Sequence, residues 1–322
     1  MSLLAAQQLR KVFGRSGFWG TAAGTAMPAV DDVSLDLGEG ETLAIVGESG
    51  SGTSTTARII MRLIEADAGS VQLMGEDFTA LSGKALRHMR RHIQMVFQDP
   101  FASLNPRMRI AETVGEGLRV HRPELSASQR REQAAAVLAR CGLDGDVLDR
   151  YPHQFSGGQR QRVGIARALV VQPKVLVLDE PVSALDVSVQ AQILNLLREL
   201  QGEFGLSYLF ISHDLAVVRH IADRVAVMFA GRIVEHGRTA DIFASPRHPY
   251  TASLLAARPI AHPGERDGDT AAYVRDREGV ASEGCAFRYR CAHAREDCSS
   301  LDARITAAGD VRDFACLHPL KP

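Results

Sequence analysis

Residues Glu41–Thr55 read ETLAIVGESGSGTST. A short apolar run, the pattern of a buried strand, enters a turn made of glycine and serine. The next stretch, TTARIIMRLI, has the apolar spacing of a helix. A strand that passes through such a turn into a helix is a phosphate-binding arrangement. Its glycines let main-chain N–H groups converge on phosphate oxygens, and the helix offers its positive N-terminal end. The pattern asks for Gly, four residues, Gly, Lys, then Ser or Thr. Gly47, Gly52 and Ser54 fit it, and Thr53 stands in the lysine position. Ser49, Gly50, Ser51 and Thr55 complete the candidate cradle, and Ser54 is placed to ligate Mg²⁺.

Outward from this loop, residues 3–13 and 30–37 alternate as strands, with a Gly/Thr/Ala-rich stretch from Gly14 to Pro28 between them. Residues 70–74 and 92–97 are further strand candidates. Residues 100–155 turn helical and polar, with strong periodicity over 127–141. VLVLDEP (Val175–Pro181) and LSYLFISHD (Leu206–Asp214) are two more buried strands, and VQAQILNLLREL is an amphipathic helix. Arg224–Gly237 reads as a hairpin turning at Ala230-Gly231. Buried strands separated by helices predict an α/β fold with a mostly parallel sheet. Ligands of such sheets sit beyond the carboxyl ends of the strands. All three apolar strands end in chemically suggestive residues: Gly47–Thr55, Asp179–Glu180 and Ser212–Asp214.

Asp179 and Glu180 are adjacent carboxylates at the end of an apolar run, expensive to hold there unless charge awaits them. Asp179 suits an Mg²⁺ shell, and Glu180 suits a water to be oriented or deprotonated. FSGGQRQR (Phe155–Arg162) follows a polar stretch and opens another helix.

With these motifs the chain resembles the ABC transporter ATPase family, whose signature is normally LSGGQ. The resemblance implies an ABC-type nucleotide-binding domain: a RecA-like parallel core, an antiparallel β region and a helical subdomain at about 100–155. It implies that Ser156, Gly157, Gly158 and Gln159 meet the ATP held by another subunit. It makes Gln98, in VFQDP, the Q-loop residue that reaches Mg²⁺, and SALD (Ser183–Asp186) the D-loop. His213, in ISHDL, becomes the switch histidine, a catalytic candidate beside Glu180 and Gln98. Phe13 is the candidate that stacks on adenine, with Phe18 and Trp19 competing. FQDPFASLNPRM (Phe97–Met108) and SPRHPYTASLLAA (Ser245–Ala257) narrow the resemblance to the oligopeptide/dipeptide/nickel permease ATPases.

That branch ends in a cysteine-bearing extension, here expected over 256–322 behind a nucleotide-binding domain at 1–255. Cys285, Cys291, Cys298 and Cys316 are separated by five, six and seventeen residues. Four thiolates can satisfy an iron–sulfur cluster or a tetrahedral Zn²⁺. The spacing lacks the close cysteine pairs usual for zinc, while His293 and His318 keep zinc open. The resemblance implies a [4Fe–4S] cluster. Cys141, the fifth cysteine, stands apart.

Composition sets the outer limits. A chain of 322 residues with 45% apolar and 23% charged residues is that of an ordinary globular protein. A net charge of −1 argues against a general nucleic-acid binder. There is no apolar run long enough to span a bilayer and no secretion signal, so a cytoplasmic protein peripheral to the membrane is expected. The family implies a heterodimer with a second ATPase subunit, two transmembrane permease subunits and an extracytoplasmic substrate-binding protein. Two rival readings are a DNA-repair or translation ATPase and a pseudo-ATPase that holds nucleotide without hydrolysing it. The first normally carries coiled-coil insertions or tandem cassettes, and neither occurs here. Thr53 is the feature that favours the second.

Overall fold

The computed structural model describes residues 2–14, 27–257, 273–274, 279–281, 283–300 and 312–321. Phe18, Trp19 and most of 258–278 lie outside them. The chain divides into two compact units.

One unit comprises Met1–Leu3, Leu37–Thr42 and Met74–Ile211. Its parallel ladder runs Ile93–Val96, Val175–Asp179, Ser207–Ser212, in register at Ile93↔Val175 and Val175↔Ser207. Every residue of Val175–Asp179 is buried, as befits a strand covered on both faces, and this is why Val175–Leu178 reads as an unbroken apolar run. Helices Ile110–His121, Ala127–Arg140 and Gly157–Leu169 pack on one another. Their inner faces carry Val114 and Leu118, Ala134 and Leu138, and Val163 and Ile165. A capping box closes the second helix, Ser126 accepting from Gln129 N and Gln129 from Ser126 N. The amphipathic stretch forms Val187–Phe204, which buries Ile193, Leu197 and Leu200 and stops at Gly205.

The other unit comprises Leu4–Asp36, Leu43–Leu73 and Ser212–Pro322. Here Leu4–Lys11 lies between Val30–Leu37 and the antiparallel Ala68–Leu73. Thr42–Val46 runs parallel to Arg224–Phe229, which continues through the expected hairpin into Arg232–Arg238. Ala230 and Gly231 both take positive φ, 47° and 84°, as a two-residue hairpin turn requires. The C-terminal Asp313–Phe314 pairs onto the far side of this hairpin, with Glu235 opposite Phe314. The Glu235 carboxylate is wholly buried there. It accepts from the main-chain N–H groups of Arg247 and His248 and from the Arg312 guanidinium, all at 2.9 Å. Three donors offset the cost of burying the charge.

Among the described residues, no helix is long and apolar enough to cross a membrane.

Candidate functional site

Strand Thr42–Val46 is fully buried, and the chain leaves it at Gly47. A Cβ on Gly47 would strike the Met228 carbonyl and the Ser51 hydroxyl, and one on Gly52 would strike the Ala29 carbonyl. Gly52 also sits at φ 103°, so both glycines are required by the tightness of the loop. Ser51 N–H donates to the Glu48 carbonyl at 3.0 Å, and Gly231 N–H donates to the Ser51 carbonyl at 2.8 Å. The hairpin turn thus props the loop. Helix Thr53–Ile60 starts directly after, with no side chain capping it from Gly52.

Ser51 is 5% exposed, and its Oγ has no protein hydrogen-bond partner. A buried, unpaired hydroxyl in a glycine cradle at a helix start fits an anionic oxygen as its missing partner. The candidate ligands Thr53, Ser54 and Thr55 are half-buried on the first turn of the helix. Arg58 is exposed on its last turn. Phe13 is 50% exposed, with the Lys11 ammonium 5.8 Å from its ring centre.

The carboxylate pair belongs to the other unit. Asp179 closes its strand and is 2% exposed. Glu180 follows at φ 47°, a left-handed conformation uncommon for a residue with a side chain. Glu180 N–H donates to the Ile211 carbonyl at 3.0 Å, and Ser183 Oγ donates to the Glu180 carbonyl at 3.1 Å. Its carboxylate accepts from Gln98 Nε2 at 2.7 Å. Asp99, next to Gln98, caps Pro100–Ser103 through Phe101 N at 2.7 Å, which fixes the backbone beyond the glutamine. His213 is exposed between Ser212 and Asp214, and Asp214 caps Leu215–Ile221.

Ser156 is the N-cap of Gly157–Leu169 and forms a capping box with Gln159. Gly157 and Gly158 form the first turn, in contact distance of Leu185 and Val189. Arg160 is buried beneath them. Its guanidinium lies 3.6 Å from the Phe101 ring centre and donates to the Pro152 carbonyl at 2.7 Å.

Cys285, Cys291, Cys298 and Cys316 line one cavity together with His248, Phe287, His293 and His318. Burial, reinforced by the other three thiols, pushes the Cys316 thiol up to about 11. Such mutual repulsion among thiolates is what a bound cation relieves. Asp297, Cys298 and His318 bring their ligand atoms within 4.8 Å of one another. His318 Nε2 meets the Asp297 carboxylate at 2.8 Å and holds its pKa below the usual range. Cys141 is buried in the other unit, and burial pushes its thiol up to about 12, which makes it inert.

Three residues here escaped the sequence reading. The Glu48 carboxylate pairs with both Arg290 Nη atoms at 2.7 and 2.8 Å, and Glu48 N–H donates to Tyr250 Oη at 3.0 Å. Tyr250 lay inside the quoted Ser245–Ala257 segment, but nothing in the sequence tied it to the loop.

A model described as ABC transporter matches residues 30–183, and one described as oligopeptide/dipeptide transporter, C-terminal region, matches 234–298. The chain is 47% identical to the oligopeptide transport ATP-binding protein OppF of Haemophilus influenzae, over 91% of this chain and 90% of that one. It is 48% identical to OppF of Escherichia coli, over 94% and 91%. It is 46% identical to the dipeptide transport ATP-binding protein DppF of Haemophilus influenzae, over 90% and 89%. Among solved structures, a dimeric ATP-binding cassette in a post-hydrolysis state with ADP and Pi matches at TM-score 0.64 and 30% identity, over 73% of this chain and 98% of that one. CbiO1 of Clostridium perfringens, part of an ABC transporter complex, matches at 0.65 and 29%, over 76% and 91%.

Proposed function

The chain belongs to the ATP-binding proteins of oligopeptide and dipeptide ABC transporters, and we propose that it is a peptide-importer subunit whose own phosphate loop is impaired by Thr53. One observation carries this reading. The cradle of Gly47, the unpaired Ser51 hydroxyl and Gly52 is intact, while the first residue of the helix behind it is a threonine where the pattern asks for a lysine.

By the family's pattern Ser54, Gln98 and Asp179 would hold Mg²⁺, which when bound neutralises charge on the phosphates. Glu180 orients or deprotonates water, and the hydrogen bond from Gln98 aims its carboxylate. His213 reaches the terminal phosphate and Phe13 offers a face to adenine. Ser156 to Gln159 serve the nucleotide of a second ATPase subunit, at a helix start whose amides favour anions. One of two sites in a heterodimer therefore stays active although this loop is weak. The helical region at 100–155 docks two transmembrane subunits, a substrate-binding protein delivers the peptide, and the chain is peripheral at the cytoplasmic face.

Cys285, Cys291, Cys298 and Cys316 hold a [4Fe–4S] cluster within the 256–322 extension. Four thiols around one cavity, with Cys316 raised first by burial and then by the other three, fit that donor set. The cluster supplies a fixed cross-link to a segment too small to bury a core of its own. Zinc is the second reading, favoured by the closeness of Asp297, Cys298 and His318.

The test is ATP turnover of the purified transporter with each ATPase subunit inactivated separately. Inactivating the partner's phosphate loop should abolish nearly all turnover. Full turnover from this chain's loop alone would overturn the proposal.

A further inference from the structure

We propose that Arg290 is a positioning residue of the phosphate loop: reaching across from beside Cys291, it neutralises and clamps Glu48, and so holds the loop's amides ready for phosphate. The inference rests on the reading of Gly47–Thr55 as a nucleotide phosphate site.

Every polar group of Glu48 described here is committed. Its carboxylate takes the two-pronged fork of Arg290, its N–H goes to the Tyr250 hydroxyl, and its carbonyl accepts from Ser51 N–H. A bidentate guanidinium–carboxylate pair fixes direction as well as charge. The fork is itself held. The Arg290 guanidinium lies 5.4 Å from the Phe287 ring centre and 5.7 Å from that of Phe229. Those rings pack on each other at 5.3 Å, and Tyr250 packs on both, at 4.6 and 5.3 Å. Arg290 N–H and Cys291 N–H both donate to the Phe287 carbonyl at 3.0 Å. The turn that presents Arg290 is therefore the turn that presents Cys291.

Charge makes the clamp matter more in this chain than in a lysine-bearing loop. Between Gly47 and Thr55, Glu48 is the sole ionisable side chain. The loop meant to receive phosphate is thus acidic on its own, and Arg290 cancels that charge. Without Arg290, an uncompensated carboxylate would stand beside the incoming phosphates and the first turn of the loop would lose its tether.

The experiment uses the full chain purified without oxygen, with Kd for Mg·ADP and Mg·ATP measured for Arg290→Gln, Glu48→Gln, Arg290→Lys and the double variant Glu48→Gln/Arg290→Gln. Arg290→Gln should weaken binding roughly tenfold. Adding Arg290→Gln to Glu48→Gln should cost little more than Glu48→Gln alone, because no charge is left to cancel. Arg290→Lys should recover part of the loss. Hydrogen exchange of the amides at 48–52, read without nucleotide, should quicken in Arg290→Gln. An equal loss from Arg290→Gln in both backgrounds, or unchanged exchange, overturns the inference. If the chain binds no nucleotide even as Thr53→Lys while exchange still quickens in Arg290→Gln, the clamp exists but the phosphate-site reading beneath it fails.

Discussion

Gln98 donates its side-chain N–H to the carboxylate of Glu180 at 2.7 Å, and Glu180 itself is held in the left-handed region at φ 47°. A non-glycine residue there costs on the order of 1 kcal/mol. Strain of this kind concentrates where function needs a side chain in an awkward place. Glu180→Gly and Glu180→Ala should both lose the chain's own contribution to turnover. They should differ in stability, with the glycine variant more stable than the alanine variant by about 1 kcal/mol. Urea unfolding of the two variants measures the difference. Equal midpoints would show that the backbone is not strained at this position.

The two signature glycines should separate packing from function. A Cβ at Gly158 would lie 2.5 Å from Val189 Cγ1, whereas one at Gly157 would lie 3.4 Å from Leu185 Cδ2. Gly158→Ala should therefore destabilise the chain by about 1–3 kcal/mol. Val189→Ala in the same chain should recover most of that loss. Gly157→Ala should keep stability within about 0.5 kcal/mol. On the proposed role of the signature it should nevertheless slow turnover at the partner's nucleotide, because its methyl group would stand where that phosphate is to approach.

The α/β pattern was legible because its strands are buried on both faces. Val175–Asp179 and Thr42–Val46 show no exposed residue and so read as continuous apolar runs. The hairpin was legible because Ala230-Gly231 marks its turn. The start of the helix at Ser156 was legible from the FSGGQRQR motif, and the capping box with Gln159, three residues on, appears in the structure. The clamp on Glu48 could not. Its partner Arg290 is 242 positions away, and neither periodicity nor spacing carries information across that distance. The Gln98–Glu180 hydrogen bond, across 82 positions, is likewise a product of strand order. Glu180 was named from its place in a carboxylate pair closing an apolar strand, Gln98 only from a family motif, and neither reading joined the two.

The cavity around His248 gives the stability a definite pH dependence. His248 is 1% exposed, its Nδ1 accepts from Tyr250 N–H at 3.1 Å, and burial holds its pKa at about 4 against an ordinary 6.5. Above pH 6.5 the ring is neutral folded or unfolded, and its share of stability is fully present. As pH falls from 6.5 to about 4, the unfolded chain takes up a proton that the folded chain refuses, so stability is lost across that window. The full loss is about 3 kcal/mol, reached below pH 4. His248→Asn keeps an acceptor for Tyr250 and should flatten the curve of urea midpoint against pH in that window. Identical curves would assign the acid sensitivity to other groups.

Removing the metal should reach the phosphate loop. If the four cysteines are ligated, protein purified without oxygen is brown and contains iron with acid-labile sulfide, and Cys141→Ser leaves both unchanged. Chelation under oxidising conditions should then release the turn that carries both Cys291 and Arg290, and amide exchange at 48–52 should quicken as it does in Arg290→Gln. Stoichiometric zinc without iron would replace the cluster by the second reading. Loss of metal with no change in loop exchange would uncouple the two.

Thr53 is the final test, because it separates a defect from a tolerated variation. A lysine at the head of helix Thr53–Ile60 would set a positive charge against the phosphates, where threonine brings a hydroxyl. At about 4 Å and an effective dielectric near 20, such a pair is on the order of 4 kcal/mol as an upper estimate. Arg58, exposed on the last turn of the same helix, is poorly placed to replace it. Thr53→Lys should therefore tighten ATP binding by roughly one to two orders of magnitude, since only part of that energy survives solvent screening. It should raise the assembly's turnover as well, if Glu180, Gln98, Asp179 and His213 act on the nucleotide as proposed. Arg290→Gln should weaken the Thr53→Lys chain less than it weakens the wild type, since the new lysine supplies a second cation against the charge of Glu48. Unchanged affinity and turnover in Thr53→Lys would show that the loop was never limited by the missing lysine.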